Sequence, residues 1–170
     1  MVFQGGALFD SLNVEQNVMF PLNMFTKMSP EEKVDRVNFC LNRVNLKNVN
    51  KLMPSELSGG MKKRVGIARA IVMNPLYLFC DEPNSGLDPR TAIVIDELIK
   101  EITKEYDILT IINTHDMNSV LDMGENIVYL HKGKKWWEGT KADIFHSGNK
   151  EFDDFIFASK VMKELRAITP

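Results

Sequence analysis

Leu57-Ser58-Gly59-Gly60-Met61 opens a helix with two glycines directly behind a hydroxyl. Glycines at a helix start let backbone approach a ligand with no Cβ in the way, and the free N–H groups and dipole of that end favour an anion. Ser58 serves either as the helix cap or as a phosphate contact. Behind it, Met61, Val65, Ala68 and Val72 recur at spacings of four, three and four, an inward-facing stripe. In the same turns, Lys62-Lys63-Arg64 reads as the solvated face of the helix, with a meeting of membrane or partner acids as the alternative.

Downstream, Leu76-Tyr77-Leu78-Phe79-Cys80 is a short continuous apolar run behind Pro75, as expected of a strand buried on both faces. It delivers Asp81 and Glu82 to its C-terminal edge, where ligands bind in α/β sheets. One carboxylate of such a pair can hold Mg²⁺ or its water shell while the other orients and deprotonates a water. Ser85-Gly86-Leu87-Asp88 is a tight turn, and Asp88-Pro89 starts a helix to about Glu105 with Ile95, Leu98 and Ile102 inward. Ile108 to Ile112 is a second buried strand, and Asn113-Thr114-His115-Asp116 sets a histidine at its end. At the same edge as Glu82, His115 can hydrogen-bond a terminal phosphate or the water attacking it; an ordinary loop histidine is the plainer reading. Asn84 sits in the turn after the acids and is expected not to affect the chemistry.

Upstream, Met1-Val2-Phe3 reads as the end of a strand running into a loop at Gln4-Gly5-Gly6. Asn13 with Gln16 forms a capping-box pattern for a helix stopped by Pro21. Ser29-Pro30-Glu31-Glu32 starts a helix to about Val44, with Val34, Val37 and Leu41 on one face. Beyond the site residues, Asp116 caps a short helix ending near Gly124. Lys132-Gly133 joins two apolar runs into a hairpin, and Thr140 caps one more turn. A last helix from about Lys150 carries Phe152, Phe155, Ile156 and Leu165, against which Trp136 and Trp137 pack the hairpin. Apolar strands alternating with helices point to an α/β fold with a largely parallel sheet.

At 170 residues with 44% hydrophobic residues, the chain suffices for one core. A net charge of −2 argues against general binding to nucleic-acid phosphates. No apolar run approaches the roughly 18–20 residues that span a bilayer, and no basic segment precedes an apolar stretch at the N-terminus. Cys40 and Cys80 fit neither a disulfide framework nor a metal-ligand spacing, so a reducing cytoplasm is the simplest home.

Taken in order, Gln4, Leu57 to Met61, Leu76 to Glu82, Ser85 to Asp88 and His115 resemble the Q-loop, signature, Walker B, D-loop and switch histidine of ATP-binding cassette (ABC) ATPases. The resemblance covers essentially the whole chain. It implies a P-loop NTPase-like α/β domain over 1–146, with a RecA-like parallel sheet core and a helical subdomain at about 13–73, then a C-terminal helical extension over 147–170. It also implies roles: Gln4 senses Mg²⁺ and the attacking water, Asp81 binds the metal, Glu82 is the general base and His115 the γ-phosphate switch. Ser58, Gly59 and Gly60, with Asp88 of the D-loop, would contact ATP held by the opposite subunit of a head-to-tail homodimer. The implied cofactors are ATP and Mg²⁺. The implied partners are a second copy and a transmembrane permease, at the cytoplasmic face of the inner membrane, with no nucleic acid.

The P-loop pattern, a Gly, four spacers, then Gly-Lys-Ser/Thr, is missing. The only Gly-Lys pair, Gly133-Lys134, has Val128 in place of the first Gly and is followed by Lys135. The family places that loop upstream of the Q-loop, where this chain begins, so an N-terminally truncated domain, inactive alone, is the expectation. Val2 to Leu12, Glu15 to Val18, Pro54-Ser55-Glu56 and Met61 to Val65 look like the ATPases of Mla/Mce-type lipid importers. That likeness implies phospholipid transport and an Mce-type lipid-binding partner. An ATPase of another ABC transport class and a non-catalytic ABC-like module stay open beside it. The physical sense of Gly6-Ala7-Leu8-Phe9 is an apolar surface on which a permease helix docks, with core packing of Leu8 and Phe9 as the alternative.

Overall fold

Asn13 and Ser29 each start a helix through a reciprocal capping box in the computed structural model, which describes residues 1–158, 162–164 and 166. The first helix, α1 (Val14–Phe25), does not stop at Pro21 but carries it in its interior. Pro21 removes one helical hydrogen bond, at a cost of about 3 kcal/mol. Burial of Val18 and Leu22 on either side of it offsets that loss. The last turn is closed by Thr26, whose N–H and hydroxyl both donate to the Leu22 carbonyl. Helix α2 (Pro30–Arg43) follows its sequence signals at both ends, with Val37, Cys40 and Leu41 buried.

Helix α3 (Gly59–Ile71) is capped by Ser58, whose Oγ accepts from the Met61 N–H at 3.3 Å. The expected stripe is buried at Val65, Ala68 and Val72, and so are Gly60, Lys63, Gly66, Ile67 and Ile71, so core surrounds most of this helix. Helices α1, α2 and α3 pack on one another, and α3 also packs on α4 (Pro89–Glu105). Arg36 of α2 ties down the end of α3 by donating to the carbonyls of Ile71 and Val72.

Strands β1 (Tyr77–Asp81) and β2 (Leu109–Asn113) pair in parallel, Tyr77 opposite Leu109 and Asp81 opposite Asn113. On the other side of β1, Val2 forms a parallel bridge to Cys80, with its N–H donating to Phe79 O and its carbonyl accepting from Asp81 N–H. Met1-Val2-Phe3 therefore does act as a strand end. Leu78 and Cys80 join the core with Ile95, Ile99 and Ile102 of α4. The two strands are not buried on both faces, as their apolar runs suggest: Tyr77, Phe79, Leu109 and Ile111 are 47–59% exposed. The core supplied by the helices covers one face of the pair only. All of these elements lie in a compact unit spanning 1–115.

A second compact unit spans 116–170. Asp116 caps α5 (Met117–Met123), which ends at Gly124. Strands β3 (Ile127–His131) and β4 (Lys134–Gly139) form the expected antiparallel hairpin, turning through Lys132 and Gly133 at positive φ, the backbone that a two-residue hairpin needs. Thr140 does not cap the next turn as expected. Its N–H and hydroxyl donate to the Asp143 carboxylate, and the short 3₁₀ turn runs over Ile144–His146. Helix α6 (Lys150–Ile156) lays Phe152 on Trp137, rings stacked at 4.1 Å, and on Tyr129 at 5.1 Å. Trp137 meets the packing role expected of the two tryptophans, whereas Trp136 is 41% exposed and donates its ring N–H to Glu151 at 3.3 Å; Leu165 lies outside the described residues.

Candidate functional site

Parallel pairing of β1 with β2 sets Asp81 beside Asn113, and the residues that follow each strand meet at one edge. Asn113 Nδ2 donates to Asp81 Oδ1 at 2.7 Å. Glu82 N–H donates to the Asn113 carbonyl at 2.9 Å. The Glu82 carboxylate then accepts from the His115 N–H at 3.1 Å, and the His115 ring Nδ1 lies 2.6 Å from the same oxygen. Glu82 is largely enclosed, its side chain 14% exposed, whereas that of His115 is 75% exposed. A sheltered carboxylate beside an accessible imidazole is an arrangement able to accept and pass on a proton.

Gln4 comes to the same edge through the backbone. The Val2–Cys80 bridge sets the register in which Gln4 runs beside Glu82. Lys63 Nζ donates to the carbonyls of both Gln4 and Glu82, and to the Ser85 hydroxyl oxygen at 3.5 Å. Lys63 is thus not part of a solvated basic face: it is buried and links the loop at Gln4 to the turn that carries Glu82 and Ser85. Burial lowers its pKa, opposed by the carboxylates of Glu82 and Asp81. A sequence signal for this existed in the second inward row of α3, where Gly60, Lys63 and Ile67 follow helical spacing.

Ser58, Gly59, Gly60 and Asp88 gather separately, at the starts of α3 and α4. Asp88 Oδ1 accepts from the N–H groups of Arg90 and Thr91, and Oδ2 from the Thr91 hydroxyl at 2.5 Å. The Thr91 hydroxyl is the main reason its pKa is lowered. A Cβ on Gly60 would lie 2.7 Å from Thr91 Cγ2, so this glycine is needed for helix packing whatever it does for a ligand. Ser58 and Gly59 are exposed.

Two more residues differ from their sequence reading. Asn84, taken for an inconsequential turn residue, is buried and donates to Asp96 Oδ2 of α4 at 3.1 Å. Phe9 and Leu8 divide the two readings between them: Leu8 packs against the core, while Phe9 is 42% exposed and meets Phe20 at 4.7 Å.

Among the described residues no cluster of three or more His, Cys, Asp or Glu is able to hold a metal by itself. Mg²⁺ takes one or two carboxylates and completes its octahedron with water and phosphate oxygens. Asp81 gives one oxygen to Asn113 and takes no other hydrogen bond among the described residues, so its second oxygen suits a hard cation. Gly133 and Lys134, the Gly-Lys pair, lie in the β3–β4 turn and at the first position of β4, and so do not form a phosphate loop.

A sequence profile described as ABC transporter matches residues 1–85. Methionine import ATP-binding protein MetN 2 of Bacillus cereus is 39% identical over 145 residues, covering 85% of this chain and 42% of the relative. The probable ribonucleotide transport ATP-binding protein mkl of Mycobacterium leprae is 41% identical over 132 residues, covering 78% of this chain and 38% of its own length. The chain therefore spans less than half the length of these two relatives. Among solved structures, the dimeric ATP-binding cassette MJ0796, in a post-hydrolysis state bound to ADP and Pi, superposes with a TM-score of 0.74 at 35% identity. The match covers 82% of this chain and 61% of that one.

Proposed function

Because the chain belongs to the ABC transporter family and has its ATPase fold, we propose that it serves in an ATP-hydrolysing subunit that drives transport through a membrane permease. The observation that carries the proposal is the convergence of Asp81, Glu82 and His115 at the C-terminal edge of β1 and β2. In this reading Glu82 takes the proton of the water that attacks the terminal phosphoryl group of ATP, yielding ADP and phosphate. His115 holds the Glu82 carboxylate in place and faces the incoming phosphate. Asp81 and Gln4 serve the metal, and Asn113 leaves one Asp81 oxygen open to it. Mg²⁺, when bound, neutralises charge building on the phosphate oxygens.

Ser58, Gly59, Gly60 and Asp88 are proposed to face nucleotide held by a second copy, in the head-to-tail dimer that the resemblance implies. The dimeric state of MJ0796 supports that arrangement. No helix among the described residues is long and apolar enough to cross a membrane, so in this proposal the crossing belongs to a permease at whose cytoplasmic face the subunit docks.

A lipid cargo and an Mce-type partner rest on the likeness of Val2 to Leu12, Glu15 to Val18, Pro54 to Glu56 and Met61 to Val65 alone, and the relatives do not support them: their names give methionine import and ribonucleotide transport. An ATPase subunit works on phosphate and pushes a permease, so its site residues carry little information about cargo. Purifying the full-length protein with its permease and measuring MgATP hydrolysis tests the proposal. Hydrolysis stimulated by cargo supports it, and methionine against phospholipid as stimulant separates the two cargoes. ATP binding without hydrolysis, with or without cargo, refutes it in favour of a non-catalytic module.

A further inference from the structure

We infer that Lys63 is a positioning residue that fixes the backbone of Glu82 for the hydrolytic step, an inference resting on the proposed role of Glu82. Lys63 projects from α3 and is 5% exposed. Its ammonium has three N–H donors, and three oxygens from two separate segments accept them: the Gln4 carbonyl from one, and the Glu82 carbonyl at 3.0 Å and the Ser85 hydroxyl at 3.5 Å from the other. A buried ammonium with every donor used is a fixed joint and not a surface charge.

Glu82 needs such a joint. Its φ is +47°, in the left-handed region that is unfavourable for a residue bearing a side chain. Pro83 follows it, and a residue before proline favours extended backbone. The Glu82 carbonyl also accepts from the N–H and hydroxyl of Ser85, both within the same turn. Among the described residues, Lys63 alone reaches that carbonyl from another element. The same ammonium holds the Gln4 carbonyl, so one cation from the signature helix sets the Q-loop, the candidate base and the following turn relative to one another. Without it, residue 82 relaxes toward the extended backbone and its carboxylate leaves His115. Misplacing a catalytic group by about 1 Å costs on the order of 10²-fold in rate.

Lys63→Met keeps most of the stem and removes the charge. In the full-length protein with its permease, it is expected to lower kcat for ATP hydrolysis at least about tenfold while leaving KM for MgATP within about threefold. Lys63→Gln, which still presents a donor, recovers part of the loss. Glu82→Gln, assayed alongside, separates the two readings. If it abolishes turnover while Lys63→Met works at the wild-type rate, Lys63 has no positioning role and the base assignment stands. If Glu82→Gln itself turns over at the wild-type rate, the proposed function falls first. A Lys63→Met defect confined to KM also overturns the inference. Should Lys63→Met not fold, Lys63→Gln decides, and an unchanged kcat in it refutes the role.

Discussion

Replacing Gly60 by alanine tests whether the two glycines at the head of α3 are needed for packing. A Cβ at this position lies 2.7 Å from Thr91 Cγ2, whereas carbon atoms rest at about 3.5–4.0 Å, so close to 1 Å must be found. Thr91 cannot simply rotate away. Its hydroxyl donates to Asp88 Oδ2 at 2.5 Å and its N–H to Oδ1 at 3.0 Å, and these bonds cap α4. The other relief is to shift the first turn of α3, which also disturbs Leu87 Cδ2, 3.3 Å from where a Gly59 Cβ would sit. Overpacking of this kind costs about 1–3 kcal/mol, and the better helix propensity of alanine returns up to about 1 kcal/mol. A net loss of about 1–2 kcal/mol is expected for Gly60→Ala in urea unfolding of the full-length protein. Thr91→Ser deletes the offending methyl and keeps the capping hydroxyl, so the double variant should recover most of the loss, with a coupling of about 1 kcal/mol. Strictly additive single variants, or a neutral Gly60→Ala, would refute the packing argument. If the double variant regains stability but not ATP hydrolysis, Gly60 is also needed for close approach of a ligand.

Asn17 is buried and fastens the loop before α1: its Oδ1 accepts from Phe9 N–H, and its Nδ2 donates to the carbonyls of Phe9, Leu12 and Asn13. Asn17→Leu should therefore cost about 2–3 kcal/mol and speed hydrogen exchange at the Phe9 amide; an amide still protected contradicts this. Burial pushes the thiol of Cys40 up to about 11 and that of Cys80 up to about 12, from an ordinary 9.0. At pH 8 both should react with a thiol reagent only through unfolding, and rapid labelling of the native protein would contradict their burial. Because each folded-state value is raised, the unfolded chain loses its thiol protons first, and the stability these thiols contribute falls between pH of about 9 and 12.

Helix ends carrying their own signals were legible from sequence because those signals are local. Ser29 with Glu32 fixes the start of α2, and Asp88 with Pro89 the start of α4. The order of motifs brought Asp81, Glu82 and His115 to one edge because parallel strands deliver their C-terminal residues together. What failed depends on neighbours distant in sequence. Pro21 stays within α1 because Leu22 has a core to enter. The apolar runs of β1 and β2 do not reveal that only one of their faces is covered. Lys63 looks like one of three surface cations until Gln4, from one end of the chain, and the turn carrying Glu82 and Ser85 close around it. Asn84 likewise gains its meaning only from Asp96, one helix away.

The most direct measurement compares steady-state ATP hydrolysis by the full-length wild-type protein and Glu82→Gln. Loss of a positioned general base is expected to lower kcat by at least about 10²-fold while ATP still binds, because Glu82 lies against His115 and its amide variant keeps that shape. Hydrolysis by Glu82→Gln at near the wild-type rate would contradict the assignment of Glu82 as the base, and with it the reading of this edge as a hydrolytic site.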